Sequence, residues 1–465
     1  MEDLMLKPTI FREYDIRGIA DEDLVDENVV LLGKGIGTFL GRQGSKTLVI
    51  GRDVRLSSPR LRDALIKGLQ STGVNVIDVG VTLTPIQYFA ILHLNADGGV
   101  MITGSHNPID YNGLKISKKG VVPVYGEQIQ EIRKIIESDD FATGAGEIVE
   151  KNVMDDYVTT LKSKLKFNKK LKIVIDAGNG TAGLVAPKLW EDMGCDVECI
   201  YCEPDGRFPN HLPDPTVLKY VVDLQEKVLE TGADLGIGYD GDSDRVGVID
   251  EKGRMIFADT LLAILSREVL DRNPGSEIVF DVKCSQALPE EIRKHGGKPL
   301  MWKTGHSLLK AKMKEINSPL AGEMSGHIFY ADDYFGFDDA IYVSGRLMQI
   351  LSNTDQKLSE IVDEIPHFES TPEIRIDATD EDKFNVVADI ADYFKKSYDA
   401  IDIDGARVLF GDGWGLVRAS NTQPVLVLRF EAKTKDRLQE IIEVFKTKLR
   451  EYPSIKFSDE DFAIA

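Results

Sequence analysis

Short, uninterrupted apolar runs recur along the chain, each followed by a stretch with helical spacing. Residues 47–53 (TLVIGRD), 172–178 (KIVIDAG) and 277–283 (EIVFDVK) share this form. A continuous apolar run predicts a strand buried on both faces, as in α/β layers, where an alternating run predicts a half-buried one. The three runs recur at intervals of roughly a hundred residues, which predicts three related α/β domains. In the first, strands are predicted over 75–80 and 98–103, with helices over 59–70 and 85–94. In the second, a helix over 185–193 precedes strands over 196–201, 234–239 and 246–250. In the third, a strand over 298–302 is flanked by helices over 287–294 and 307–316.

The pattern changes in the last hundred residues. A helix is predicted over 384–396, a hairpin from 408–410 and 416–419 around Gly411-Asp412-Gly413, and a strongly apolar strand over 425–430. A long amphipathic helix over 435–452 follows. This is an α+β unit and not another doubly wound layer. Four domains are therefore expected, over 1–150, 151–254, 255–369 and 370–465.

The formal net charge of −21 argues against nucleic acid and anionic membranes as partners. An anionic small molecule would need a local cluster of Arg and Lys to overcome that field. No apolar run approaches the roughly 18–20 residues that span a bilayer. The stretch from Met1 to Arg17 carries acidic residues and no apolar core before a cleavage site, so it does not read as a signal peptide, and a cytoplasmic location is expected. Of the four cysteines, Cys195, Cys199 and Cys202 form C-x3-C-x2-C, a spacing also used for iron–sulfur clusters. On the predicted strand, residues 199 and 202 point to opposite faces, which favours structural thiols.

Four polar loops each follow an apolar strand, where α/β domains bind ligands. In Met101–Pro108 (MITGSHNP), Gly104 allows a sharp turn and Ser105 sits at its crest beside His106. The serine reads as a nucleophile or as part of an ordinary Ser/Asn/Pro turn. In Tyr239–Arg245 (YDGDSDR), Asp240, Asp242 and Asp244 alternate as carboxylates do around a hard divalent cation. Flanking strands and Arg245 at the sixth position argue against a calcium hand. A haloacid-type phosphatase or mutase, with an aspartate nucleophile, is the chemical rival. In Gly322–His327 (GEMSGH), Glu323, Ser325 and His327 alternate and on extended backbone would point one way, as suits a polyol. In Arg418–Pro424 (RASNTQP), the residue types are those that surround phosphate. Each loop alone also reads as a surface turn. Together they describe a phosphosugar enzyme with a phosphorylated intermediate.

On these motifs the chain resembles the α-D-phosphohexomutase family, in its bacterial phosphomannomutase/phosphoglucomutase branch. Residues 103–108 match the phosphoserine loop, Asp240, Asp242 and Asp244 the magnesium loop, Glu323, Ser325 and His327 the sugar loop, and Arg418, Ser420, Asn421 and Thr422 the phosphate loop. The stretches 11–18, 51–55, 111–115 and 335–339 also fit. The resemblance implies three α/β domains with mixed sheets and a fourth domain of different fold around a central cleft. It implies reversible phosphoryl transfer between the 1- and 6-positions of a mannose or glucose phosphate, through phosphorylated Ser105 and a hexose 1,6-bisphosphate. Magnesium would be held by Ser105 with the three aspartates. Lys115, His106, Arg17 and His327 are the implied candidates for proton handling, with Lys115 and Arg17 favoured and Lys115 requiring a lowered pKa to act as a base. Tyr14, Arg245, Lys283 and His306 join the substrate-binding set. The expected partner is a small phosphosugar, with a monomer as the expected assembly. A phosphoglucosamine mutase is the nearest alternative, disfavoured by Asn421 where that branch usually has glycine.

Overall fold

The computed structural model describes residues 6–421 and 423–462. The three predicted runs form strands Thr47–Arg52, Lys172–Asp176 and Glu277–Asp281, each with a buried interior. Each belongs to a separate mixed sheet. In the first, Thr47–Arg52 lies parallel to both Asn75–Val81 and Gly98–Ile102, and Tyr111–Lys118 returns antiparallel to Gly98–Ile102. In the second, Lys172–Asp176 lies parallel to Leu235–Tyr239 and Asp196–Ile200, and Val246–Asp250 closes a hairpin on Leu235–Tyr239. In the third, Glu277–Asp281 lies parallel to Lys298–Trp302 and Leu320–Gly322, and Ile328–Tyr330 returns antiparallel. The last sheet, centred on Val425–Ala432 and Gly413–Ala419, is antiparallel throughout among the described residues.

The helix Asp26–Arg42 has no counterpart in the sequence reading. Four glycines dilute its helical pattern, and glycine lowers helix propensity. Packing explains them in part. A Cβ on Gly33 would meet Leu65 O at 2.5 Å, and one on Gly68 would meet Val30 O at 2.3 Å. The two glycines let this helix and Ser58–Gln70 touch backbone to backbone.

One apolar core runs through the second and third domains and takes in the helix Thr84–His93 of the first. The last domain has its own core around Phe430 and Phe445. It docks on the third through Val282, Trp414 and Leu416. Arg407 stacks on the Trp414 ring at 3.6 Å and donates to the carbonyls of Val282 and Cys284, both at 2.7 Å. The first three domains thus share packing, and the fourth adds a wall.

Two local expectations are corrected. Glu323–His327 is the turn of a hairpin and not extended backbone, with Glu323 N–H bonded to His327 O at 3.0 Å. Arg418 sits on the strand Gly413–Ala419, as the hairpin expected over 416–419 implies, and not in the loop that follows Ala419.

Candidate active site

The first loop holds Ser105 in a left-handed conformation, φ 48°, with the side chain buried. That is a strained shape for a non-glycine residue and needs external support. Arg55 supplies it. Its guanidinium donates to the carbonyls of Ser105 (2.9 Å), Asn107 (2.5 Å), Pro108 (2.6 Å) and Tyr111 (3.0 Å). Asp53 accepts from the backbone N–H of Gly104 at 3.1 Å and of Arg55 at 3.0 Å. A Cβ on Gly104 would lie 2.4 Å from Arg55 Nε, so only glycine fits beside this guanidinium. Sequence reasoning noted the stretch 51–55 but gave Arg55 no role.

Ser105 Oγ donates to Asp240 Oδ2 at 2.7 Å, and His106 Nδ1 lies 3.2 Å from Ser105 Oγ. Asp240, Asp242 and Asp244 are fully buried, and their ligand atoms lie within 4.8 Å of one another. The Asp240 carboxyl is pushed well above its usual range by burial and by repulsion from Asp242 and Asp244. Asp242 accepts from Thr84 Oγ1 at 2.6 Å, at the start of the helix Thr84–His93. Lys115 bridges Asp242 at 2.7 Å and Asp244 at 2.5 Å. The three carboxylates crowd together against Lys115, and a divalent cation would relieve the repulsion that raises Asp240. Asp242 Oδ1 is buried without a hydrogen bond, and Asp244 Oδ1 is buried with the His327 ring 3.2 Å away. All-oxygen donors with free lone pairs fit magnesium.

The surroundings of Lys115 reverse one expectation. Burial opposes its charge, but Asp242, Asp244 and Asp240 outweigh burial and raise its pKa. Its neighbours are carboxylates, not cations, so it is held as an ammonium ion. His106 is pushed the other way, well below its usual range, by burial and by Arg245 and Arg17. Burial, with His327 and Lys115, does the same to His306. His327 rises to about 9, because Asp244 and Glu323 outweigh burial and the Arg245 charge. Its Nδ1 lies 2.6 Å from Glu323 Oε1, and its Nε2 lies 3.2 Å from Asp244 Oδ1.

The sugar-type turn keeps its three side chains together despite the changed backbone. Ser325 Oγ donates to Glu323 Oε1 at 2.6 Å. Gly305 N–H donates to Glu323 Oε2 at 3.0 Å. Lys283 Nζ pairs with Glu373 at 2.9 Å.

Tyr14 ties three domains across the cleft. Its hydroxyl donates to Thr304 O at 2.8 Å and accepts from Asn421 Nδ2 at 2.7 Å. Asp404 joins the same contact, accepting from Thr304 N–H at 2.9 Å and Arg418 Nε at 3.0 Å. Nothing in the sequence marks Asp404, which stands apart from the polar loops. Thr422 lies outside the described residues.

The loops enclose a cavity of about 420 Å³. Tyr14, Arg17, Ser105, His106, Lys115, Arg245, Lys283, His306, Glu323, Ser325, His327, Arg418, Ser420 and Asn421 all line it. Arg12, Glu373 and Arg375 line it too and were not anticipated. Seven Lys or Arg residues face three acids there, the local positive field that an acidic chain needs for an anionic substrate. The three aspartates lie behind Ser105 and Lys115. Asp240 turns both oxygens to partners, Oδ2 to Ser105 and Oδ1 to the N–H groups of Asp244 and Arg245, so the serine and not the aspartate faces the cavity.

Comparison with known proteins agrees in order and extent. Family profiles for phosphoglucomutase/phosphomannomutase match as alpha/beta/alpha domain I over 8–143, domain II over 155–253, domain III over 257–368 and the C-terminal domain over 373–448. A phosphomannomutase/phosphoglucomutase of Pseudomonas putida is 49% identical over 447 residues, 96% of each chain. A phosphoglucomutase of Neisseria meningitidis serogroup A is 42% identical over 451 residues, covering 96% of this chain and 98% of its own. The crystal structure of a phosphoglucomutase/phosphomannomutase family protein from Burkholderia thailandensis superposes with a TM-score of 0.90 at 40% identity, covering 96% of this chain and 98% of that one. With four domains matched in sequence order and a serine, an aspartate triplet and a cationic wall around one cleft, the chain belongs to the phosphoglucomutase/phosphomannomutase family of enzymes.

Proposed function

We propose that this enzyme moves a phosphoryl group reversibly between the 1- and 6-positions of a hexose, mannose phosphate or glucose phosphate, through phosphorylated Ser105 and a hexose 1,6-bisphosphate. The four domains would divide near residues 150, 254 and 369. The observation that carries the reading is the 2.7 Å contact of Ser105 Oγ with Asp240, at the floor of a cleft lined by seven Lys or Arg residues.

Asp240, Asp242 and Asp244, with the Ser105 phosphoryl group, would hold magnesium. When bound, the cation supplies charge neutralisation for phosphoryl transfer. Lys115, held as an ammonium, stabilises negative charge on the transferring group and on the departing serine oxygen. Neutral His106, 3.2 Å from Ser105 Oγ, is placed to exchange a proton at that oxygen. Arg17 donates to Asn107 Oδ1 at 3.2 Å and pairs with Asp15 at 2.6 Å, which fixes its guanidinium at the cavity wall. Glu323 and Ser325 receive the sugar hydroxyls. Arg418, Ser420 and Asn421 receive the phosphate remote from Ser105, with Thr422 joining them by family match. A bisphosphate that turns end over end presents each phosphate to this site in turn. If Glu323 and Ser325 read hydroxyls 3 and 4, the site is blind to carbon 2, where glucose and mannose differ.

Phosphorus NMR tests the proposal. The protein is given magnesium, a trace of glucose 1,6-bisphosphate, and glucose 1-phosphate or mannose 1-phosphate in parallel. Conversion of either to its 6-phosphate, abolished in Ser105→Ala, supports the reading. Free phosphate without isomerisation sinks it in favour of a phosphatase, and conversion of glucosamine phosphates alone reassigns the sugar.

A further inference from the structure

The C-x3-C-x2-C motif takes no part in the chemistry above, and the fold changes its meaning. Strand Asp196–Ile200 lies at the edge of its sheet, with Cys199 in register with Ile175. The chain does not continue as a strand to Cys202. Tyr201 adopts a left-handed conformation, φ 52°, and turns the backbone. Cys202 Sγ therefore returns to within 3.8 Å of Ile175 O, the register partner of Cys199. Both cysteines thus lie beside Ile175 of the neighbouring strand, and the opposite-face expectation fails because the strand has ended at Ile200. Tyr201 is pinned by its hydroxyl, which donates to Asp223 at 2.6 Å. Cys199 is exposed and Cys202 half-buried, whereas Cys195 and Cys284 are buried.

This turn packs against the loop around Asn179, which in turn touches the loop that carries the aspartate triplet. Tyr201 O accepts from Asn179 N–H at 2.8 Å, and Glu203 O accepts from Asn179 Nδ2 at 2.8 Å. Two residues on, Thr181 N–H donates to Gly241 O at 3.0 Å, and Thr181 Oγ1 lies 2.9 Å from Ser243 Oγ. Gly241 and Ser243 stand between the three aspartates. We propose that Cys199 and Cys202 form a reversible dithiol–disulfide site, whose oxidation by a peroxide is passed through Asn179 and Thr181 to the aspartate loop.

The Cys199 thiolate attacks the peroxide O–O bond and becomes a sulfenic acid, with water or an alcohol leaving. The Cys202 thiolate then displaces hydroxide from the Cys199 sulfur, and the S–S bond forms. Two electrons pass from the thiol pair to the peroxide, and the two thiol protons end in the two products. A small thiol reverses the step. Cys199 is the exposed sulfur of the pair, which suits it to the attacking role. The coupling half of the proposal rests on the magnesium reading of the aspartate loop, and its test is kept separate from catalysis.

The full chain is treated with hydrogen peroxide, its mass measured, and its tryptic peptide 189–207, which holds three of the four cysteines, fragmented. Loss of about 2 Da, mapped to a Cys199–Cys202 link and reversed by dithiothreitol, is the expected result. Cys199→Ser and Cys202→Ser each abolish it, and Cys195→Ser retains it. Oxygen addition without a link, or a link to Cys195, overturns the site. Magnesium is then titrated against Tm for the reduced and oxidised protein. The half-maximal concentration is expected to rise roughly two- to thirtyfold on oxidation. An unchanged value overturns the coupling. A reduced protein whose Tm ignores magnesium overturns the metal reading itself.

Discussion

Ser105 and Asp240 lie 135 residues apart in sequence and 2.7 Å apart in space, with the serine hydroxyl donating to the carboxylate. The bond joins the first domain's loop to the second domain's aspartate triplet. It makes the nucleophile and the cation site one unit. Replacing Asp240 with Asn keeps the shape but removes one of the three carboxylates that would hold the cation. Mutase turnover is expected to fall by roughly 100-fold or more, since cation stabilisation of phosphoryl transfer is worth several kcal/mol. Magnesium titration of the variant by rate, with Tm as a folding control, checks this. Turnover within a few-fold of the parent would contradict it.

Arg55 holds the loop that shapes Ser105. Arg55→Met leaves four carbonyls without their donor and Asp53 without its 3.3 Å ion pair in a buried setting. Destabilisation of about 3–5 kcal/mol is expected, the cost of breaking a buried ion pair. Arg55→Lys should fail too, because one ammonium cannot serve four divergent carbonyls. Urea unfolding of both variants decides it, and a Lys variant as stable as the parent would show that charge alone suffices.

Tyr14 connects Thr304 of the third domain and Asn421 of the fourth. Tyr14→Phe removes both hydrogen bonds and little volume. KM is expected to rise about fivefold with kcat nearly unchanged, as loss of roughly 1 kcal/mol of positioning predicts. Steady-state kinetics separates this from a catalytic role, in which kcat would fall and KM would hold.

Asp339 is buried at the start of the helix Ala340–Ser352 and accepts from Tyr157 and Tyr334 hydroxyls. Burial, only partly offset by these donors, raises its pKa from 3.8 to about 6. Between those values the folded protein keeps a proton that the unfolded chain releases. Stability therefore falls as pH rises through this window, by at most about 3 kcal/mol, and levels off above it. Asp339→Asn keeps an acceptor and should remove that slope. Denaturant midpoints across the window test this, and an unaltered slope would contradict it.

Much of this was legible in the sequence because the strands are continuous apolar runs and the chemistry sits in polar loops at their ends. The segments 246–250, 287–294 and 298–302 match strands and a helix residue for residue. What escaped depends on contacts between distant segments. Asp26–Arg42 hides its helix behind glycines that only its partner helix explains. Asp404 and Arg55 act through geometry that no local spacing reveals. The Cys202 turn depends on Tyr201 leaving the strand, which periodicity does not signal. The ammonium state of Lys115 follows from its position between Asp242 and Asp244, more than a hundred residues downstream.

The central claim is that Ser105 carries the phosphoryl group. Peptide mass mapping after exposure to glucose 1,6-bisphosphate and magnesium, with denaturation in acid and again at neutral pH, tests it most directly. The account predicts one acid-stable phosphate on the peptide containing Ser105, absent from Ser105→Ala. Acid-labile, hydroxylamine-sensitive phosphate on Asp240, or phosphate elsewhere with Ser105 unmodified, would contradict it.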